Sequence, residues 1–307
     1  MSPFQECKKY QIPFYRCPSF IFLALGTMII FAVLTSYYVG NRIIDDPLVV
    51  ALICIILTVI LLILSYFATK TFEVLIEANR LKSEFISLAS HQLRAPISNL
   101  KFAIEILMSG KKGKFEPSQL EYLQILKENT IRLGELTRDL LLISKIESGN
   151  LKLKEEKFDL CQLTEKIVKN FSPFARAHNV DIKCSFQDNI PKIFGDQEQI
   201  KGVIETLLDN AIKYSKKEKS LVEIKIGKKK KEIYFEIKDE GIGIPQSDQK
   251  RIFEKFFRAS NVSKSEIPGT GLGLFIAKSI IERSGGKIYL NSEEGKGTTV
   301  SFTLPLS

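Results

Sequence analysis

The chain has 307 residues, with 44 Lys+Arg against 35 Asp+Glu, a formal charge of +9, 45% hydrophobic residues and no Trp. That length suits about two domains, and the hydrophobic share excludes a disordered chain. Residues 19–39 and 47–68 hold no Asp, Glu, Lys or Arg, whereas charge of both signs fills everything after Lys70, which excludes a simple soluble protein.

The two uncharged runs, of 21 and 22 residues, come first in chain order. About 20 helical residues cross a hydrocarbon core of roughly 30 Å, so both read as transmembrane helices. The first is too long for the apolar part of a signal peptide, and Ser36-Tyr37-Tyr38 is a poor cleavage site. Tyr37, Tyr38 and Tyr66 lie at run ends, as interfacial aromatics do. Lys8, Lys9 and Arg16 precede the first run, and Lys70, Arg80 and Lys82 follow the second. Between them only Arg42 stands against Asp45 and Asp46. The positive-inside rule then puts both termini in the cytoplasm. It leaves Gly40–Asp46 as an external loop too short to fold, so no extracellular ligand-binding domain is expected.

No Pro or Gly occurs from Ala68 to Ala95, so the second membrane helix is expected to continue straight into a cytoplasmic one. Ile86, Ser90, Leu93, Ile97, Leu100, Ile104 and Leu107 alternate spacings of four and three, a heptad seam that extends back through Ser83, Asn79, Ile76 and Phe72. Gly110–Glu116 breaks this helix, and Pro117 opens another with Leu120, Leu123, Leu126, Leu133, Leu136, Leu140 and Ile143 at helical spacing; Gly149 stops it. Two such helices cannot bury both apolar faces alone, and a homodimer would complete a four-helix bundle. His91, one of two histidines, lies one residue past seam position Ser90 and so faces outward. Arg94 stands near enough to attract phosphate, and Pro96 has no N–H for the Gln92 carbonyl. By chemistry alone His91 is either a surface residue or a reactive one.

Residues 158–305 read as an α/β unit, with helices over 160–177, 197–214 and 271–284 on one mixed sheet. Asp196 with Gln199 makes a capping-box pattern before the second helix. Strands are predicted at Leu221–Ile226, Glu232–Lys238, Lys287–Asn291 and Thr298–Leu304. The lysine run Lys228–Lys231 falls between two of them and reads as a solvated turn, not a nucleic-acid patch. Two glycine clusters, Asp239-Glu-Gly-Ile-Gly and Gly269-Thr-Gly-Leu-Gly, flank a strand end and a helix start, where backbone N–H groups can meet an anion. Neither a dinucleotide fingerprint nor a phosphate loop ending in G-K-[ST] is present. The five cysteines, Cys7, Cys17, Cys54, Cys161 and Cys184, are scattered and form no C-x-x-C, so neither zinc nor a disulfide framework is indicated. His178 matches no motif.

Ser90-His91-Gln92-Leu93-Arg94-Ala95-Pro96 resembles the phospho-acceptor motif of bacterial sensor histidine kinases, Ser-His-Glu-Leu-Arg-Thr-Pro. Downstream, Leu207–Ser215, Asp239-x-Gly241-x-Gly243, Phe253–Arg258 and Gly269–Leu274 look like the N, G1, F and G2 boxes of the Bergerat or GHKL ATP-binding fold, in the right order. The resemblance covers residue 70 to the end. It implies three parts: 1–69 with two transmembrane α-helices, 70–150 as a dimeric helical hairpin that accepts phosphate, and 151–307 as a C-terminal α/β sandwich ATP-binding domain.

The resemblance further implies that His91 takes the γ-phosphate of ATP and passes it to an Asp of a separate response regulator. It places the protein in the bacterial inner membrane as a homodimer, with Mg²⁺ as the metal, and leaves sensing to the membrane or a partner membrane protein. Asn210 is the expected Mg²⁺ ligand, Lys213 and Arg258 the phosphate cations, and Tyr214 the lining of the adenine side. Asp239 is the expected acceptor for the adenine amino group, with Gly241 and Gly243 letting the chain pass the base. Gly269, Thr270, Gly271, Leu272 and Gly273 form the loop whose N–H groups face phosphate, and Phe253, Phe256 and Phe257 are expected to pack the lid, 240–270. A hinge is expected near 149–157.

Three positions depart from the family pattern. Gln92 replaces an acid and cannot take the imidazole proton, which removes general-base help worth about 10²–10⁴-fold. Ala95 replaces the Thr or Asn that orients water for dephosphorylation, so feeble phosphatase activity is expected. Thr206 replaces an Asn, and Glu205 beside it either compensates or faces elsewhere. A catalytically degenerate nucleotide-binding dimeric membrane scaffold is the alternative these departures leave open. A DNA-linked ATPase of the same nucleotide fold would have no use for the anchor or the hairpin.

Overall fold

A computed structural model describes residues 18–306, apart from 110–112, 114, 217–218, 230 and 264–268. Lys8, Lys9, Arg16, Cys7, Cys17, Gly110 and Lys230 therefore lie outside the described residues, as do the side chains of Ile76, Asn79 and Ser83. The chain forms two compact units, Met1–Leu93 with Ser144–Asn150, and Arg94–Ile143 with Leu151–Ser307.

The first unit contains α1 (Pro18–Ile43) and most of α2 (Pro47–Met108). Phe22–Ile43 and Pro47–Phe72 are long and apolar enough to cross a membrane. The expected loop Gly40–Asp46 shrinks to three residues, because α1 runs on to Ile43 and Ile44 N–H still donates to the Gly40 carbonyl at 2.9 Å. Arg42 stays helical, donating to Tyr38 Oη at 2.8 Å. Asp46 Oδ1 accepts Leu48 N–H at 2.9 Å and starts α2, with Pro47 where a missing N–H is harmless. A Cβ on Gly40 would stand 2.8 Å from Val50 Cγ1, so glycine lets the two helices close together at the turn.

α2 passes through Pro96 unbroken, which confines the expected interruption to the single bond that Pro96 cannot donate. α3 (Pro117–Glu147) is the second hairpin helix. The heptad seam separates into two columns. Ser90 and Ile104 on α2 are buried, as are Leu123, Thr130, Thr137 and Ser144, seven residues apart on α3. Ile97 Cγ2 lies 3.7 Å from where a Cβ on Gly134 would be, so a glycine on α3 receives it. Thr130 and Thr137 satisfy their hydroxyls on the Leu126 and Leu133 carbonyls, each at 2.7 Å. The other column, Leu93, Leu100, Leu107, Leu126 and Leu133, is between 36% and 54% exposed.

The rest of the second unit is built on β1 (Glu156–Phe158), α4 (Leu160–Ala177), β2 (Val180–Phe186), β3 (Ile193–Gly195), α5 (Gln197–Lys213), β4 (Ser220–Lys229) and β5 (Glu232–Asp239). It continues through a one-turn α6 (Ser260–Ser263), α7 (Gly273–Arg283), β6 (Lys287–Glu293) and β7 (Gly297–Pro305). The five-stranded sheet has the order β2-β4-β5-β7-β6, with β2 parallel to β4 and the rest antiparallel, a mixed sheet as expected; β1 and β3 pair separately. α4, α5 and α7 cover one face. Alternation decides which side chains are buried: Val222, Ile224 and Ile226 on β4, and Ile233, Phe235 and Ile237 on β5, point into the core, while Lys225 meets Glu223 and Glu236 on the other face. Phe235 stacks on Phe302 with ring centroids 4.8 Å apart. Leu136, Leu140, Leu142 and Ile143 of α3 join this core. Asp196 caps α5 by accepting Gln199 N–H at 3.0 Å, and its other oxygen takes Lys154 N–H at 2.8 Å.

Candidate functional site

His91 is exposed on α2, next to buried Ser90, with Gln92 and Arg94 also exposed. The outward setting expected from the seam is the one found. Nothing on this segment shields the imidazole from a reacting group in solution.

The residues expected on the adenine side come from the end of β5. Alternation puts Ile233, Phe235, Ile237 and then Asp239 on the core face, so strand geometry carries a carboxylate where an apolar side chain would otherwise sit. Asp239 is 8% exposed. Its Oδ1 accepts Gly241 N–H at 2.8 Å and Thr298 N–H at 3.1 Å; among the described residues nothing bonds its Oδ2. Burial pushes the carboxyl up to about 6, against the pull of those two N–H bonds. Gly241 and Gly243 are required here. A Cβ at Gly241 would collide with the Tyr214 carbonyl, and Gly243, at φ +64, would collide with that of Glu293.

The residues expected on the phosphate side lie on one face of α5 and in the loops around it. Asn210 is half-buried, and among the described residues its amide makes no hydrogen bond. Lys213 Nζ is 2.6 Å from Asp209 Oδ2. Burial pushes the Tyr214 phenol up; Arg258 and Lys213 pull it down and Asp209 pushes it further up, so all of these groups act on one region. Thr206 turns its methyl toward Gly273, where a Cβ would be 2.8 Å from Cγ2 and 4.0 Å from Oγ1. Glu205, for which the sequence leaves both settings open, has its Oε1 3.9 Å from Lys201 Nζ.

The last helix starts at Gly273, two residues later than expected, and its first turn has no side-chain cap. Its N-terminal N–H groups are thus open to an anion. Leu272 is the exception in the expected phosphate loop: it is fully buried, and its N–H donates to Thr270 Oγ1 at 3.3 Å. Gly271, at φ +69, gives its carbonyl to Phe256 N–H at 2.9 Å.

Of the expected lid, 240–270, residues 264–268 lie outside the described residues, and the described part is held by its own packing. Phe253 and Phe257 pack with Ile252, Ala259 and Val262 in a small core, as expected. Phe256 does not. It takes φ +61, a conformation costly for a bulky residue, and is 62% exposed, while its N–H donates to the Gly271 carbonyl. Arg258 Nη2 reaches the Val262 carbonyl at 3.5 Å. Asp248 Oδ2 accepts Ser260 N–H at 2.7 Å and Oγ–H at 2.8 Å, and Asn261 Nδ2 donates to the Gly243 carbonyl at 3.0 Å.

These residues fit an adenine nucleotide and its cation. One oxygen of buried Asp239 has no partner among the described residues and can accept from an amino group, the start of α7 has no side-chain cap, and Lys213 and Arg258 act on the same phenol beside it. Among the described residues no three His, Cys, Asp or Glu side chains gather to hold a metal, so a cation here would draw on Asn210 Oδ1 and on phosphate oxygens. Sequence reasoning missed Thr298, Asp209, Asn261 and Asp248. Only Asp209, beside Asn210 and four residues before Lys213, carried a sequence signal.

Residues 195–307 match the family model described as histidine kinase-, DNA gyrase B-, and HSP90-like ATPase, and residues 81–149 match that of the His Kinase A (phospho-acceptor) domain. The chain is 32% identical over 227 residues to the sensor histidine kinase WalK of Bacillus subtilis (strain 168), covering 73% of this chain and 36% of that protein. It is 33% identical over 235 residues to the sensor protein kinase WalK of Staphylococcus aureus, covering 75% and 55%. The chain thus spans between about a third and about half the length of these relatives. Full-length ShkA, solved in complex with AMPPNP, shares the fold with a TM-score of 0.61 at 22% identity, over 73% of this chain and 46% of that one. The histidine kinase AdeS of Acinetobacter baumannii superposes with a TM-score of 0.50 at 25% identity, over 71% of this chain and 98% of that one.

Proposed function

Because the chain belongs to the sensor histidine kinases, we propose that it is an ATP-dependent protein kinase that phosphorylates itself on His91 and passes the group to an Asp of a separate response regulator. The observation that carries this reading is Asp239: a buried carboxylate, held by two backbone N–H bonds through one oxygen, with the other left for a donor such as the adenine amino group.

Lys213 and Arg258 counter phosphate charge, and the start of α7 offers N–H groups to the same oxygens. A magnesium ion, when bound, neutralises charge on the phosphates of the nucleotide, and Asn210 Oδ1 is the protein oxygen we assign to it. His91 is the nucleophile. An imidazole nitrogen forms a bond to the γ-phosphorus, the bond to the bridging oxygen breaks, and ADP leaves. In the second step a regulator carboxylate takes the phosphoryl group and the P–N bond breaks. Gln92 can orient the ring but cannot accept its proton, so solvent does.

We assign 70–150 to dimerisation and phosphotransfer and 151–307 to nucleotide binding. The exposed column Leu93, Leu100, Leu107, Leu126 and Leu133 supports a homodimer, since a second copy would complete a four-helix bundle. The two apolar helices support anchorage in the bacterial inner membrane with both termini cytoplasmic. The three-residue connection between them supports sensing within the membrane or through a partner membrane protein.

The test is incubation of the full chain with γ-labelled ATP. Acid-labile, alkali-stable label that vanishes in His91→Ala is the expected result. Nucleotide binding without any label would sink the kinase reading and favour the scaffold, which the methyl contact of Thr206 and the identity of Gln92 support.

A further inference from the structure

Two cations and one anion crowd the phosphate side of the proposed nucleotide site. Lys213 Nζ stands 2.6 Å from Asp209 Oδ2, and the two side chains are 31% and 32% exposed, so this pair is partly shielded from water. Asp209, Lys213 and Arg258 all act on the Tyr214 phenol, which places the acid among the phosphate cations. Asp209 is also the immediate neighbour of Asn210.

An ammonium has three N–H donors, and in the ligand-free protein one of them is engaged by Asp209. A polyphosphate that takes Lys213 must either evict the carboxylate or share the ammonium with it. In the shared case two anions flank one small cation at a separation of about 5 Å, close enough to repel in a half-buried site. In the evicted case the carboxylate loses its partner and stays beside the incoming charge. Both cases disfavour a bare triphosphate, and both are relieved when a divalent cation cancels charge on the phosphate oxygens.

We infer that Asp209 is the residue that makes polyphosphate binding depend on a divalent cation: it holds Lys213 until the metal-bound nucleotide arrives and opposes the metal-free one. This rests on the nucleotide site proposed above. It assigns Asp209 a positioning and selecting role, without contact to the reacting atoms. AMP, which lacks the β- and γ-phosphates, escapes the effect.

The experiment is a set of equilibrium titrations of the purified full chain with ATP in excess Mg²⁺, with ATP in EDTA, and with AMP. In Asp209→Asn, the Kd for metal-free ATP is expected to fall about tenfold, while the Kd for Mg–ATP changes by less than about twofold, so the Mg²⁺ effect collapses. Asp209→Glu, which keeps the charge, is expected to retain the wild-type ratio. Unchanged AMP binding reports an intact adenine side; if Asp209→Asn lost it, Asp209→Ser would be judged by the same ratio. An equal Mg²⁺ effect in wild type and Asp209→Asn, with AMP binding intact, overturns the inference and leaves the nucleotide site standing. A wild-type chain that binds no adenine nucleotide removes the site and the inference together.

Discussion

The helical hairpin and the sheet domain handle their apolar residues in opposite ways. In the sheet domain Phe235, Phe302, Ile204 and Leu208 are fully buried, and three helices of its own together with Leu136, Leu140, Leu142 and Ile143 of α3 pack on this core. In the hairpin the buried column includes hydroxyls, Ser90, Thr130, Thr137 and Ser144, while leucines stand in the open. The difference teaches where each part gets its stability. The sheet domain completes its core with α3 of the same chain, so its folding is a property of one chain. The hairpin leaves leucines exposed, so in the proposed homodimer its order would depend on a second copy and on protein concentration.

The largest effect that would sharpen this contrast is at Asp239. In Asp239→Asn, the amide oxygen must take the Gly241 and Thr298 N–H groups, which turns the NH₂ toward the adenine amino group. Two facing donors are expected to weaken ADP binding by about 100-fold or more, measured by calorimetry. The same substitution is expected to raise the Tm of the ligand-free protein at pH 7. The carboxyl titrates at about 6 in the fold against the ordinary aspartate value of 3.8, so its ionised form costs about 3 kcal/mol of stability at neutral pH. That cost fades as pH falls from about 6 to about 4, because the folded state holds the proton more tightly. A Tm that drops in Asp239→Asn would break the claim that the ionised carboxyl destabilises the ligand-free fold.

Next in size is the hairpin. Leu100→Asp with Leu133→Asp places charges on the open column, and by two-fold symmetry each counts twice. Burial of one leucine is worth about 1.5–3 kcal/mol, so the double variant is expected to be monomeric in sedimentation while ADP binding persists. A dimer that survives would mean the leucine column is not the contact.

A pH series gives a smaller, graded effect. Affinity for ADP is expected to weaken as pH falls through about 6, as Asp239 gains its proton, and the slope should be absent in Asp239→Asn. The smallest effect expected is at Ala95. Wild type should dephosphorylate its regulator feebly, and Ala95→Thr should raise that rate without changing autophosphorylation; rapid ADP-dependent dephosphorylation by the wild type would refute the role given to position 95.

Much of this was legible in the residues. The period of two along Ile233, Phe235 and Ile237 carries Asp239 inward by its place in the chain, and the column at Ser90 turns His91 outward. Helix 160–177 has the limits its apolar spacing implies. Other features needed three dimensions. Val180–Phe186 alternates, yet a strand at a sheet edge with only Val180 fully buried has too weak a pattern to announce itself. The strands 156–158 and 193–195 are three residues long and exist only as each other's partners. Phe256 carries the composition of a core residue, yet it is exposed and its N–H donates to the Gly271 carbonyl, which no local pattern encodes. The shortened connection between the apolar helices follows from Arg42 finding Tyr38 one turn back, which keeps a charged residue in the helix.

The bond from Thr298 to Asp239 spans 59 positions. A chain ending before Thr298 would keep His91, both apolar helices and most of the glycine loops, but Asp239 would lose one of its two backbone N–H clasps and β5 would have no β7 beside it. If Asp239 binds the nucleotide as proposed, that competence is granted only once the last strand is in place.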